Sequence, residues 1–459
     1  MRFAKMTLKE LTAPGGYSCS CGRRHCCEIR YLDISRGAIR NLPEMLRTLG
    51  SKKPFLFGDR NTFEAAGKAA EKVLDEAGIL YVSYVLPMDR PKPGEWETGS
   101  VVMHFDPSCD LLLAVGSGVI NDIGKVVSHA TGVPNAVIGT APSMDGYASN
   151  SSSMEVNKVK VTLYNHAPSG ILLDTEILAK APMRMLQAGF GDMIAKYIAI
   201  CEWQISNIAA GEYYCEEVAE MMREALRKVT AGADSIPVRD PDAIGAIAEG
   251  LVLAGIAMAY AQISRPASGL EHYFSHMWEM MALERDEPYD LHGIQVGVGT
   301  VLTLRLYRHI RALKPSREKA EAHMRAFREE DWEKEVKRVF GKTAPEVLEI
   351  EKTAHKNDPK EHALRLTRIL DNWDRMVEIM DKELPDPDWI QEKMRLIGEP
   401  MLPSDLGISE QDTLDAFTAS RDIRAKYLTS TLLWDLGEME DFKQILHEEL
   451  EALAKEAAK

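Results

Sequence analysis

The chain has 459 residues, of which 45% are hydrophobic and 27% charged, with a formal net charge of −15. That length suits two or three domains with a large core and no need of disulfide staples, and the composition excludes a disordered chain. The acidic balance argues against a nucleic-acid partner, which needs a basic surface, but leaves room for a local pocket that takes one small phosphorylated ligand.

The N-terminus "MRFAKMTLKEL" has scattered charges and no apolar h-region, so it does not read as a secretory signal. With seven cysteines in so long a chain, a disulfide framework is not expected, and the cytoplasm is the inferred compartment. "PFLFGD" (54–59) reads as a strand running into a helix that Asn61 or Thr62 would cap. "ILYVSYVLP" (79–87), "LLLAVGSG" (111–118) and "NAVIGTAPS" (135–143) are further strands, with "INDIGKVVSHATG" as a helix between the last two. Strands alternating with helices point to βαβ units around a parallel sheet. "KVKVTLYN" and "GILLDTEIL" read as a later hairpin or edge pair.

From about residue 179 strand runs stop and period-3.6 patterns continue to the C-terminus. The expected fold is therefore an α/β domain (1–178) with a mainly parallel sheet, followed by an all-α domain (179–459). The most apolar run, "GLVLAGIAMAYA" (250–261), is too short for a membrane span and reads as a buried packing helix. The stretch from 313 to 390 is highly charged and reads as solvated amphipathic helices.

"LLLAVGSGVINDIGKVV" places Gly116, Ser117 and Gly118 where a strand hands over to a helix. Such a turn brings a phosphate to free N–H groups, although G-x-G-x-x-N lacks the third glycine of the dinucleotide fingerprint and a plain tight turn is an equal reading. Asp59 ends another strand, where an acid holds a ribose hydroxyl pair. "GTAPSMDGYASNSSS" (139–153) ends a third with small hydroxyl residues, which ordinary loops also contain.

In "RPASGLEHYFSHMWEM" (265–280) His272 and His276 stand four apart, on one helical face. A single histidine there is usually a hydrogen-bonded core residue. However, "DEPYDLHGIQVGVG" adds His292, and "LQAGFGDMIAKYIAI" adds Asp192 after a Gly-x-Gly turn at the start of a helix. The plain reading of Asp192 is a helix N-terminal acid. One carboxylate with two imidazoles suits a divalent ion that keeps one position open, whether zinc, nickel or ferrous iron.

The motifs "GSGVIND", "TAPSMDGYAS", "GFGDMIAKY", "SGLEHYFSHMWEM" and "LHGIQVGVG", with "IGEPMLPSDLGI" and "SRDIRAKYLTSTLLWDLGEM" later, resemble the sn-glycerol-1-phosphate dehydrogenases in identity and order. That family lies within the larger group of iron-containing alcohol dehydrogenases and dehydroquinate synthases. The resemblance runs from about residue 30 to about 440. It implies metal ligation by Asp192, His272 and His292, with His276 and Asp145 at the substrate. It places NAD(H) or NADP(H) along Asp59, Gly116, Ser117, Gly118, Asn121, Asp122, Thr140, Ser143 and Ser149. The implied reaction is reduction of dihydroxyacetone phosphate to sn-glycerol 1-phosphate for phospholipid synthesis, by a homodimer with no membrane span. The rival readings are a glycerol or polyol dehydrogenase and a cyclase of the dehydroquinate synthase type.

Lys158, Lys160 and Lys196 are candidates for the substrate phosphate, without a motif behind them. Departures from the family pattern are Arg60 beside Asp59, which admits NADPH, and the long charged region. A third is "CSCGRRHCC", where Cys19, Cys21, His25, Cys26 and Cys27 are of the right types for a structural zinc site, reduced surface thiols being the plainer alternative.

Overall fold

The longest apolar runs of the first half become strands that are buried along their whole length. A computed structural model describes residues 3–157 and 159–457. In chain order its strands are β1 (Tyr17–Ser18), β2 (Arg24–His25), β3 (Tyr31–Ser35), β4 (Pro54–Asp59), β5 (Val82–Leu86), β6 (Leu111–Gly116), β7 (Asn135–Gly139), β8 (Ser151–Val156), β9 (Val159–Tyr164) and β10 (Gly170–Asp174). Six of them form one sheet in the order β3-β10-β7-β6-β4-β5, with every pair parallel. The four inner strands are buried at every position, as strands covered on both faces must be. Leu56, Leu113, Val115, Ile138 and Leu172 pack one face against Ile39, Leu42, Leu46 and Phe63.

Two local readings are corrected. β9 and β10 do not pair: β9 forms an antiparallel hairpin with β8, and β10 lies inside the sheet between β3 and β7. The reason is burial, since "GILLD" is apolar on both faces while β9 is partly exposed throughout. Neither Asn61 nor Thr62 caps the helix after β4. Asp59 does so, with Oδ1 accepting from the N–H groups of Asn61 (2.8 Å) and Thr62 (3.0 Å), so the helix begins at Arg60.

The last strand ends at Asp174, and among the described residues everything after it is helix or loop. Compact packing divides the chain into Met1–Met193 with Cys215–Ala267, and Ile194–Tyr214 with Ser268–Lys459. In the first unit the 250–261 run belongs to a 21-residue helix, Pro241–Ala261. This helix is long and apolar enough to cross a membrane, but 72% of its apolar window is buried inside the protein.

In the second unit the Leu270–Arg285 and His292–Arg311 helices pack together, with Glu410–Ala419 against the former. The 313–390 stretch forms amphipathic helices from Arg317–Ala326 to Pro387–Ile397, with short apolar stripes turned inward. A buried network ties the late motif down. The Arg365 guanidinium donates to both carboxylate oxygens of Asp435 at 2.8 Å, and the Tyr427 hydroxyl donates to Asp435 Oδ2 at 2.9 Å.

Candidate functional site

In the first unit, β5 lies on one side of β4 while β6, β7 and β10 lie on the other. The strand order therefore reverses between β4 and β6, and the carboxyl ends of two such strands are where open α/β sheets bind ligands. Asp59 ends β4, and Gly116 ends β6. Ser117 is the N-cap of the 14-residue Gly118–Thr131 helix but its side chain makes no cap hydrogen bond. The first N–H groups of that helix thus have no side-chain acceptor, the arrangement a phosphate uses. A Cβ on Gly116 would lie 2.5 Å from Ile120 Cβ, so the tight turn is required by packing as well. Thr140 follows β7 and donates its N–H to Gly116 O at 3.2 Å.

Several of the expected cofactor residues face the 145–153 loop. Asn121 Nδ2 donates to Gly146 O at 3.0 Å, while its buried Oδ1 has no hydrogen-bond partner. Asp122 Oδ2 accepts from Ser153 N at 3.0 Å, and Oδ1 pairs with Lys125 Nζ at 2.7 Å. Ser149 Oγ lies 3.1 Å from both Gly146 O and Ser151 O, either of which can accept its one proton, and Ser143 N donates to Ala141 O at 3.1 Å. Burial raises the Asp59 carboxyl above the usual range against the pull of its cap hydrogen bonds. Sequence reading passed over Lys125. Its side chain is fully buried, and its ammonium donates to Gly146 O and Ser149 Oγ at 3.3 Å each and to Ser151 O.

Asp192 needs a correction. Gly189 and Gly191 are not a turn; they lie within the Met183–Ile194 helix, and Asp192 sits in its last turn, wholly buried. The macrodipole there opposes a carboxylate, so the helix-start explanation falls away. Gly189 lets the helix approach Pro142, whose oxygen would lie 1.8 Å from an added Cβ. This close approach brings Asp145 N within 2.9 Å of Asp192 Oδ2.

In the second unit His272 and His276 share the Leu270–Arg285 helix, and His292 begins the next helix. The ring centroids of His272 and His292 are 5.4 Å apart, those of His276 and His292 also 5.4 Å, and those of His272 and His276 6.4 Å. His272 Nδ1 lies 2.8 Å from Glu271 Oε1, which also accepts the Gly269 N–H at 2.7 Å. His292 Nδ1 lies 3.0 Å from Ser275 Oγ and 3.4 Å from Glu279 Oε1. With a carboxylate or hydroxyl oxygen beside each Nδ1, Nε2 is the natural ligand atom of each ring, so these residues fit a divalent ion. Burial and the charge of Glu202 raise the Glu271 carboxyl above its usual range, and Lys196 draws it partly back.

Glu279 joins His276 and His292 in a group whose ligating atoms lie within 4.8 Å of one another. Its spacing of three from His276 puts it on the same helical face, the signal from which a role could have been read. Of the lysines considered for phosphate, Lys160 is in β9 and Lys196 is buried at the start of a helix. Lys158 lies outside the described residues.

Residues 33–182 match the family model for iron-containing alcohol dehydrogenases, a family of oxidoreductases. Solved structures agree on the fold. Glycerol dehydrogenase from Schizosaccharomyces pombe has a TM-score of 0.59 at 14% identity, covering 92% of this chain and 91% of that one. A 1,3-propanediol oxidoreductase has a TM-score of 0.60 at 16% identity, covering 92% and 98%.

Among curated proteins, the NAD(P)+ glycerol-1-phosphate dehydrogenase of Halalkalibacterium halodurans is 30% identical over 424 residues, 92% of this chain and 95% of that protein. Its namesake from Geobacillus stearothermophilus is 30% identical over 425 residues, covering 92% and 96%. The Methanosarcina acetivorans one is 34% identical over 282 residues, 60% and 75%. The chain belongs to the glycerol-1-phosphate dehydrogenase family.

Proposed function

We propose that the protein reduces dihydroxyacetone phosphate reversibly to sn-glycerol 1-phosphate with NADH or NADPH, supplying glycerophospholipid synthesis in the cytoplasm as a homodimer. The observation that carries this reading is the identity to enzymes of that name along 92% of the chain. In this reading Gly116, Ser117 and Gly118 receive the pyrophosphate at an uncapped helix start. Asn121, Asp122, Thr140, Ser143 and Ser149 line the dinucleotide, and Asp59 takes the adenosine ribose through the oxygen its cap bonds leave over.

Asp192, His272 and His292 hold the divalent ion, and Asp145, Asp192 and His276 meet the substrate. When bound, zinc, nickel or ferrous iron supplies Lewis-acid stabilisation of charge on the C2 oxygen, and the reduced nicotinamide supplies hydride. Asp145 orients the substrate by hydrogen bonding, its loop being anchored through Asp192. An imidazole titrates at about 6.5 as a class, so His276 suits delivery of a proton to the C2 oxygen near neutral pH.

The test is a hydride-transfer assay on protein of known metal content, with dihydroxyacetone phosphate against unphosphorylated dihydroxyacetone. Higher kcat/KM for the phosphorylated ketone is expected. Preference for dihydroxyacetone would replace this reading with a polyol dehydrogenase, and phosphate release without net cofactor turnover would replace it with a cyclase.

A further inference from the structure

A second cluster of metal-binding side chains lies in the first unit and shares no residue with the groups described above. β1 and β2 form a small antiparallel hairpin, Tyr17 opposite His25, whose turn carries Cys19 and Cys21. The turn is closed by Cys19 N to Arg23 O at 3.0 Å and Gly22 N to Cys19 O at 3.1 Å, with Gly22 at φ +85° where a side chain would be strained. Cys215, at the N-cap of the Glu216–Ala231 helix, comes to the same point. Cys19 Sγ is 3.7 Å from Cys215 Sγ. His25 Nε2 is 3.3 Å from Cys21 Sγ and 3.6 Å from Cys215 Sγ.

These separations discriminate between explanations. Zinc bonds of about 2.3 Å to sulfur and about 2.0–2.1 Å to nitrogen put tetrahedral corners about 3.8 Å apart for two sulfurs and about 3.6 Å apart for sulfur and nitrogen. A disulfide needs about 2.05 Å, and all seven cysteines are free thiols. His25 is fully buried, and its Nδ1 donates to Tyr260 O at 2.7 Å, which leaves Nε2 as the ligating nitrogen. Phe3 meets the ring edge-on at 5.4 Å and Tyr260 stacks on it at 5.5 Å, so its position is determined by packing.

We propose that Cys19, Cys21, His25 and Cys215 hold one structural zinc ion. Three thiolates and one imidazole fill a tetrahedron and leave no open position, the mark of a structural site. Binding displaces the three thiol protons and fastens the N-terminal hairpin to the start of the Glu216–Ala231 helix. Cys26 is exposed, and Cys27 donates its thiol to Leu11 O at 3.8 Å; neither takes part.

The experiment loads the full-length chain with cobalt(II). Asp192, His272 and His292 contain no sulfur, so a near-ultraviolet thiolate-to-cobalt charge-transfer band reports this cluster alone. The wild type and Cys26→Ser are expected to show the band, and Cys215→Ser to lose it together with one equivalent of zinc. No band in the wild type, or a band retained in Cys215→Ser, overturns the site. Should Cys215→Ser misfold, alkylation of the zinc-loaded wild type decides. Cys19 and Cys21 resist labelling until a chelator is added while Cys26 reacts throughout; equal labelling before chelation, or a Cys19–Cys215 disulfide, overturns it.

Discussion

Glu271 Oε1 makes two contacts at once: it accepts the Gly269 N–H at 2.7 Å and lies 2.8 Å from His272 Nδ1. In its carboxylate form such an oxygen takes the Nδ1 proton of the ring and makes Nε2 the ligand atom, the support that metal-binding histidines commonly have. Glu271→Gln is therefore expected to weaken metal binding about tenfold, the lower end for such supporting groups, with the fold intact. Metal titration against a competing chelator measures this; an unchanged affinity would deny Glu271 that role.

Asp192→Ala and His272→Ala are each expected to lose bound metal and activity while circular dichroism stays native. Elemental analysis showing full metal in either variant would remove it from the ligand set. His276→Ala is expected to keep the ion and lose turnover, since its assigned work is proton transfer.

Lys125 is the buried cation that ties Asp122 to the 146–151 backbone. Lys125→Met is expected to cost about 2–4 kcal/mol, because it leaves Asp122 and three buried or part-buried acceptors without their donor. Denaturant unfolding of the apoprotein measures the loss, and a cost under 1 kcal/mol, about one hydrogen bond, would show that the loop holds by other means.

Asp435 is wholly buried and pairs with Arg365 through two bonds. Asp435→Ala strands a buried guanidinium, at about 3–5 kcal/mol. The double variant with Arg365→Leu is expected to recover part of that loss, since no uncompensated charge remains. Additive losses in thermal or urea unfolding would contradict the coupling.

Arg285 grips Asp412 at 2.6 and 2.9 Å, and this hydrogen bonding, with help from Ser409, holds the carboxyl below the usual carboxylate range. The folded state then binds protons less readily than the unfolded one, so the pair stabilises above the unfolded pKa and its contribution fades as pH falls through the folded value. The guanidinium is half-exposed, which limits the effect to about 1 kcal/mol. Arg285→Gln is expected to lower the thermal midpoint at pH 7 and to converge on the wild type in acid. A gap constant with pH would exclude the carboxylate as its origin.

The strands β4, β6 and β7 are legible in the sequence to within a few residues because inner parallel strands are apolar on both faces, a pattern that needs no partner to be visible. The same property misled at β10, since an apolar run of five does not say which neighbour it joins. Asp59 went unread as a cap because its place at a strand end suggested a ligand instead. Asp192 was misplaced because two glycines resemble a turn, whereas here they thin a helix so that it can meet Pro142.

The linear order of residues determined the parallel sheet, the glycine turn after β6, the helical second half and the histidine pair, since each is a local pattern with its own period. Tertiary structure alone decided which atoms meet. Cys215 reaches His25 across 190 residues, Lys125 lies under the 146–151 loop, and Glu271 and Glu279 stand behind two imidazoles. Long-range proximity leaves no periodic trace in a chain, because it arises from how finished helices and strands pack and not from the spacing within any one of them.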